Sequence, residues 1–179
     1  MAGAEIHGIQ SWVALPDGHE DAAPSFEHHP AAVLPKHAAG GIDLTVIAGE
    51  AFGLRSPVIT LWPTLYVHAL FSPGATLEVL RDPRERAVYV VNGELAIGER
   101  SVTTGQLALL DPAADVALRA VGETRAMLLG GERFPTSRHI WWNFVASSEE
   151  RIQRAKERWE CRQFPAVPGE IEFIPLPNY

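Results

Sequence analysis

Residues 73–93 read PGATLEVLRDPRERAVYVVNG and hold the most informative pattern of the chain. Two runs rich in apolar and β-branched residues, Thr76–Leu80 and Arg86–Val91, are interpreted as short β-strands. Asn92-Gly93 is the strongest short hairpin signal a sequence carries, because a type I′ turn needs positive φ at both central positions. The stretch therefore predicts paired strands closed by a tight turn, with Gly93 as a determinant of folding.

The rest of the chain also consists of short segments separated by turn-forming residues. Fourteen prolines and fifteen glycines recur at short intervals, which favours many short strands over long helices. Further predicted strands are Ile6–Ala14, Ile42–Ala48, Val58–Leu61, Leu65–Phe71, Glu94–Gly98, Gln106–Asp111, Val116–Ala120 and Arg125–Leu129. Short strands joined by turn residues indicate an all-β sandwich or barrel.

One segment has helical periodicity instead. Ser147 and Glu150 form a capping box, and Ile152 and Trp159 follow on one helical face. The sequence predicts one substantial helix, over about 148–161.

Composition limits the class of protein. The 179 residues, 46% hydrophobic and 21% charged, suit one ordinary globular domain. A net charge of −7 disfavours nucleic acid and anionic membranes as partners. The single cysteine, Cys161, excludes an internal disulfide framework and fits a reducing compartment. No signal peptide or apolar run of ~20 residues is visible, so we expect a cytoplasmic protein.

Seven collinear segments carry a resemblance to a known family. They are HGIQSWVALP (7–16), IAGEAFGLRSPV (47–58), PTLYVHALFSPGA (63–75), VYVVNGELAIG (88–98), LLGGE (128–132), WNFVASSEERI (142–152) and FIPLP (173–177). Together they resemble the C-terminal half of pirin-like proteins, which are bicupins. The resemblance implies an all-β, cupin-type jelly-roll barrel with one C-terminal helix.

The same resemblance implies where the chemistry of the family lies. Pirins carry a metal, usually iron, on three histidines and a glutamate of an N-terminal barrel, and some bacterial members open flavonols such as quercetin with dioxygen. The segment that joins the two barrels resembles the start of this chain, so the metal-bearing barrel is expected to be absent. Residues 1–27 are then a remnant of the junction, and residues 28–179 form the C-terminal cupin-like barrel.

The cupin ligand frame G-x5-H-x-H-x3-E-x6-G fits residues 74–93, whereas the ligands themselves do not. The three ligand slots, and the histidine slot of the second cupin motif, hold Leu80, Asp82, Arg86 and Val116. One carboxylate among four slots is a weak site for a transition metal. We expect no metal and no cofactor in this chain.

Two interpretations of these residues stay open. Asp82 and Arg86, four residues apart across a possible kink at Pro83, either form a rim ion pair, which is favoured, or leave Arg86 to bind a small anion. His68 is either a structural strand histidine, which is favoured, or points into the barrel. In the second case His68 joins a vestigial pocket with Leu80, Asp82, Arg86 and Val116. No catalytic residue is predicted.

The sequence therefore predicts a non-catalytic binding or interaction module without its own metal site. The alternative is a pirin-type quercetin (flavonol) 2,3-dioxygenase whose metal-bearing barrel is missing or supplied by another chain. As partner we expect a second copy, or another protein, covering the vacant barrel face. The apolar side chains available for that contact are Ile6, Ile9, Trp12 and Val13.

Overall fold

The computed structural model describes residues 8–82, 84–169 and 171–178. Within them lie fourteen strands and one helix, α1 (Glu149–Glu160). The strands are β1 (Lys36–Ala39), β2 (Ile42–Ala48), β3 (Glu50–Ala51), β4 (Leu54–Arg55), β5 (Thr64–Phe71), β6 (Thr76–Val79), β7 (Glu85–Asn92), β8 (Glu94–Ile97), β9 (Arg100–Thr103), β10 (Leu107–Leu110), β11 (Val116–Ala120), β12 (Thr124–Gly131), β13 (His139–Trp141) and β14 (Phe144–Ala146). The prediction of an all-β chain with one C-terminal helix is confirmed.

The chain divides into two compact units. Residues 23–133 contain β1 to β12 and are called the barrel unit below. The described parts of 1–22 and 134–179 form the helix unit, with β13, β14 and α1. This division differs from the predicted boundary after residue 27, because polar contacts of the N-terminal segment go to residues beside the helix. The carboxylate of Glu20, for example, accepts hydrogen bonds from the backbone N–H and the hydroxyl of Ser147, both at 2.6 Å.

The barrel unit is built from two main antiparallel sheets around one core, and β3 and β4 form a separate two-stranded sheet. A six-stranded sheet has the order β1-β2-β5-β12-β7-β10, and a four-stranded sheet has the order β6-β11-β8-β9. Alternate side chains of each strand enter the core, as the period of a strand requires. Val46 and Val67 of the first sheet and Leu95 and Leu118 of the second are almost completely buried there.

Asn92-Gly93 does not form the predicted hairpin. β7 pairs with β10 and β12, whereas β8 pairs with β9 and β11, so the chain crosses from one sheet to the other at this point. Asn92 stays in β7, and only Gly93 has positive φ, at +94°. A Cβ on Gly93 would lie 2.6 Å from both the carbonyl oxygen of Glu123 and the hydroxyl of Thr124. The predicted type I′ hairpin was wrong. Glycine is needed at position 93 because a side chain there would meet residues 123 and 124.

Two predicted strands are not formed. Residues 58–61 have no strand, because prolines at 57 and 63 flank the run and lack the N–H that a ladder uses. Gly8–Ala14 of the predicted first strand is also irregular, while Ile6 lies outside the described residues. Ile9, Trp12 and Val13 remain 44%, 52% and 58% exposed.

The helix prediction is confirmed, and its cap lies one residue later than predicted. Ser148, rather than Ser147, is the N-cap, and its hydroxyl accepts a hydrogen bond from the N–H of Arg151 at 3.3 Å. Ser147 lies one residue outside the cap, and its hydroxyl donates to Glu20. Nothing helical in the described residues is both long and apolar enough to cross a membrane.

Candidate functional site

Arg86 faces the core of the barrel unit and occupies the glutamate slot of the cupin ligand frame. Val88 and Val90 of β7 belong to the core, and Arg86 occupies the same face two residues earlier. β7 lies between β10 and β12, so Arg86 sits opposite Leu110 and Gly130. The side chain is only 3% exposed. An arginine therefore fills the position that the frame reserves for a carboxylate ligand.

Backbone carbonyls surround the Arg86 guanidinium. Nη2 donates to the carbonyl oxygen of Asp111 at 2.7 Å and to that of Ala114 at 3.3 Å. Nη1 donates to the carbonyl oxygens of Leu80 and, at 3.5 Å, Val79. Four carbonyls, two from the end of β6 and the residue after it and two from the β10–β11 connection, thus converge on one cation.

This arrangement compensates the charge of Arg86 without an ion pair. Among the described residues no carboxylate is in salt-bridge contact with it, and the dipoles of the carbonyl groups offset the cost of burial. Nε is buried and has no hydrogen-bond partner within the described residues. The side chain ties two loops together and leaves its positive charge inside the end of the barrel.

Asp82 pairs with Arg84, not with Arg86. Nε of Arg84 lies 2.9 and 3.0 Å from the two carboxylate oxygens of Asp82, and the backbone N–H of Arg84 also donates to Oδ1 at 2.9 Å. The hydrogen bonds from Arg84 lower the pKa of Asp82 to about 2, against the opposing effect of partial burial. The predicted rim pair between Asp82 and Arg86 is wrong, because β7 turns Arg86 into the core. The kink proposed at Pro83 lies outside the described residues.

The other two slots of the frame offer no ligand. Leu80 is 69% exposed and contributes its backbone carbonyl rather than its side chain. Val116 begins β11 opposite Val79 and packs, half-buried, against the core. Neither side chain could coordinate an ion in any orientation.

His68 lies on the other face of its sheet. Its neighbours Val67 and Ala69 on β5 enter the core, so His68 points away from the core, opposite Thr45 and Met127 in the register. Burial, followed by the positive charge of Arg125, lowers the pKa of His68. The prediction that His68 joins a pocket with Arg86 is wrong, and the structural interpretation of this histidine agrees with the geometry.

A transition metal does not fit this position of the chain. Within the described ranges no three His, Cys, Asp or Glu side chains come close enough together to hold an ion. At the frame itself the one carboxylate, Asp82, is held by Arg84, and the slot for the glutamate ligand holds the cationic guanidinium of Arg86. The anion hypothesis is also weakened, since both terminal nitrogens of Arg86 already donate to carbonyls.

Sequence reasoning missed Arg84 and the burial of Arg86, although one signal for the second was present. Arg86, Val88 and Val90 alternate along a predicted strand, which places the arginine on the face of the two valines. No comparable local signal shows which carbonyls receive its hydrogen bonds, because Asp111 and Ala114 lie far along the chain.

Comparison with known proteins agrees with this barrel. A family model described as the pirin C-terminal cupin domain matches residues 66–165. A pirin-like protein of Caulobacter vibrioides is 40% identical over 98% of this chain and 62% of its own length. A Pseudomonas aeruginosa protein, provisionally named a quercetin 2,3-dioxygenase, is 34% identical over 86% of this chain and 49% of its own length.

A solved structure has the same fold. The crystal structure of a quercetin 2,3-dioxygenase from Acinetobacter baumannii superposes with a TM-score of 0.84 at 27% identity, covering 94% of this chain and 57% of that one. The chain spans about half to three fifths of the length of these three proteins.

Proposed function

The chain belongs to the pirin family and has its cupin-type fold, and on that premise we propose that its barrel is a non-catalytic binding or interaction module without a metal of its own. The observation that carries the proposal is the buried guanidinium of Arg86, held by four backbone carbonyls at the ligand frame. A catalytic metal site needs several anionic or neutral donors and an open coordination position. Here the guanidinium of Arg86, a fixed cation, stands in place of a donor.

Metal loading tests this proposal. After incubation with iron(II) and dialysis against a weak chelator, elemental analysis of the purified chain should give far less than one equivalent of iron. Retention of about one equivalent by the parent chain, lost on Asp82→Ala, would overturn the proposal.

A second candidate function is that of a pirin-type quercetin 2,3-dioxygenase. It is favoured by the names of two relatives, the Pseudomonas aeruginosa protein and the Acinetobacter baumannii structure. In that case the metal ligands come from residues outside this chain, in a preceding barrel or a partner. Quercetin with added iron(II) should not be consumed by this chain alone faster than without protein. Consumption by the chain alone that is lost on Asp82→Ala would overturn the proposal of a non-catalytic module and would assign a metal donor to this chain.

We further propose that the partner of the exposed N-terminal segment is a second copy of the chain. Ile9, Trp12 and Val13 are about half exposed, and three such side chains in seven residues favour burial against an apolar surface. A cytoplasmic location is part of the same proposal and is supported by the exposed, unpaired Cys161, which suits a reducing compartment.

A further inference from the structure

A pocket within the helix unit has no role in the function proposed above. It has a volume of about 300 Å³ and lies between α1, the β13–β14 hairpin and the segment of Glu20 and Asp21. This volume is at the lower end of the range that small-molecule sites occupy, ~300–1,000 Å³. Its apolar lining includes Phe144, Ile152 and Phe164.

The acidic side of the pocket is already neutralised. Nη1 and Nη2 of Arg151 lie 3.0–3.1 Å from the carboxylate of Asp21, and Nε lies 3.3 Å from that of Glu20. The hydrogen bonds of Asp21 raise the pKa of Arg151. Glu20 is bonded to Ser147 as well. The two carboxylates are therefore occupied, and they offer little attraction to a cationic ligand.

Two further arginines leave positive charge at the pocket. Arg154 and Arg158 are one helical turn apart on α1 and both line the cavity. Arg154 has only a loose contact with Glu150, at 3.8 Å between exposed side chains. Arg158 makes no ion pair with any described carboxylate, and its Cζ lies 4.6 Å from the ring centre of Phe164. A guanidinium stacked on a ring presents its N–H edge to a planar acceptor.

The aromatic rings that line the pocket also pack against one another and against Trp159. Phe144 stacks on Phe164 with centroids 6.0 Å apart, and Trp159 contacts both rings at 6.1 and 5.7 Å. Such offset and edge contacts stabilise rings beyond their burial. The pocket thus combines an aromatic lining with a cationic edge.

We propose that this pocket binds a small aromatic carboxylate. The ring of the ligand packs against Phe144 and Phe164, and its carboxylate accepts hydrogen bonds from Arg158 and Arg154. The carboxylate group matches the paired N–H donors of a guanidinium, and the flat apolar body matches the ring wall. The proposal involves only the helix unit and does not depend on whether the barrel unit is catalytic.

Fluorine NMR with 4-fluorobenzoate provides the test. We expect saturable binding to the full chain with a Kd on the order of 1 mM, as suits a ligand of so few atoms. The neutral analogue 4-fluorobenzamide has the same shape without the charge and should bind at least about tenfold more weakly. Equal binding of the two probes, or no saturable binding of the benzoate, would overturn the proposal.

Matched variants locate the site. Arg158→Gln should weaken benzoate binding about tenfold or more, and Arg158→Lys should fall between, because lysine keeps the charge and loses the planar fork. Arg162→Gln is the control, since Arg162 stacks on Phe173 at 4.5 Å and does not line the pocket. Each variant is checked for an unchanged thermal unfolding transition. If Arg162→Gln weakens binding as much as Arg158→Gln, the site is not this pocket. If Arg158→Gln disturbs the fold, Arg154→Gln replaces it, with the same expected direction.

Discussion

Arginine side chains have different environments in the barrel unit and in the helix unit. In the barrel unit Arg86 is buried, and both terminal nitrogens donate to backbone carbonyls of two loops. In the helix unit Arg154 and Arg158 are exposed, one with a loose ion pair and the other stacked on a ring. The environment rather than the residue type decides whether a guanidinium holds the fold together or stays available to a ligand.

The largest effect is expected from removing the buried arginine. Arg86→Met should lower the free energy of unfolding by about 3–5 kcal/mol, because it leaves several buried carbonyls without donors. Arg84→Met is the matched control, since it removes a partly exposed pair worth about 0–1 kcal/mol. Urea denaturation measures both. Equal losses in the two variants would show that the carbonyl contacts of Arg86 contribute little.

A smaller effect is expected at the exposed N-terminal segment of the helix unit. Light scattering at micromolar concentration should give about twice the chain mass of 19.6 kDa. Trp12→Asp should shift the chain toward monomer or insoluble material, because burying a large apolar side chain contributes roughly 1.5–3 kcal/mol. Ile59→Asp changes an equally apolar, 80% exposed side chain elsewhere and should leave the mass unchanged. A monomeric parent chain would contradict self-association.

The sheet crossing of the barrel unit should be the next most sensitive point. Gly93→Val should lower stability by about 1–3 kcal/mol, since the new side chain meets both a strained φ and the backbone of residues 123 and 124. Gly98→Val tests strain alone, because Gly98 has φ of +58° and open space around its Cβ position. Urea unfolding should show a larger loss for Gly93 than for Gly98. The reverse order would mean that crowding at the crossing is unimportant.

The smallest effect concerns pH. The pKa of Asp82 is lowered from 3.8 to about 2 in the folded chain, so its contribution to stability is present above pH 3.8 and is lost as pH falls toward 2. Because the pair with Arg84 is partly exposed, this contribution should be about 1 kcal/mol or less. Asp82→Asn should flatten the pH dependence of stability between pH 4 and 2. An unchanged slope would show that the pair makes no net contribution.

The sequence predicted those strands and the helix whose hydrophobic periodicity is clear within the segment itself. The period of two over Ile42–Ala48 and Val116–Ala120 predicted those strands with the observed bounds. The period of 3.6 after Ser148 predicted the helix within one residue at each end. The same reasoning failed at residues 58–61 and 8–14. A strand also needs a neighbouring strand to pair with, and a short apolar run does not show which segment that is.

The sequence by itself determined the family, the all-β class, the helix and the residues in the ligand slots at 80, 82 and 86, because each depends on residue identity and short spacing. Only the tertiary structure decided that Gly93 joins two sheets, that Asp82 belongs to Arg84, and that Arg86 bonds to carbonyls 25 and 28 residues away. Local sequence limits backbone angles and the face on which a side chain lies. The partner of a buried polar group is set by distant segments that folding brings together, and no local pattern encodes that distance.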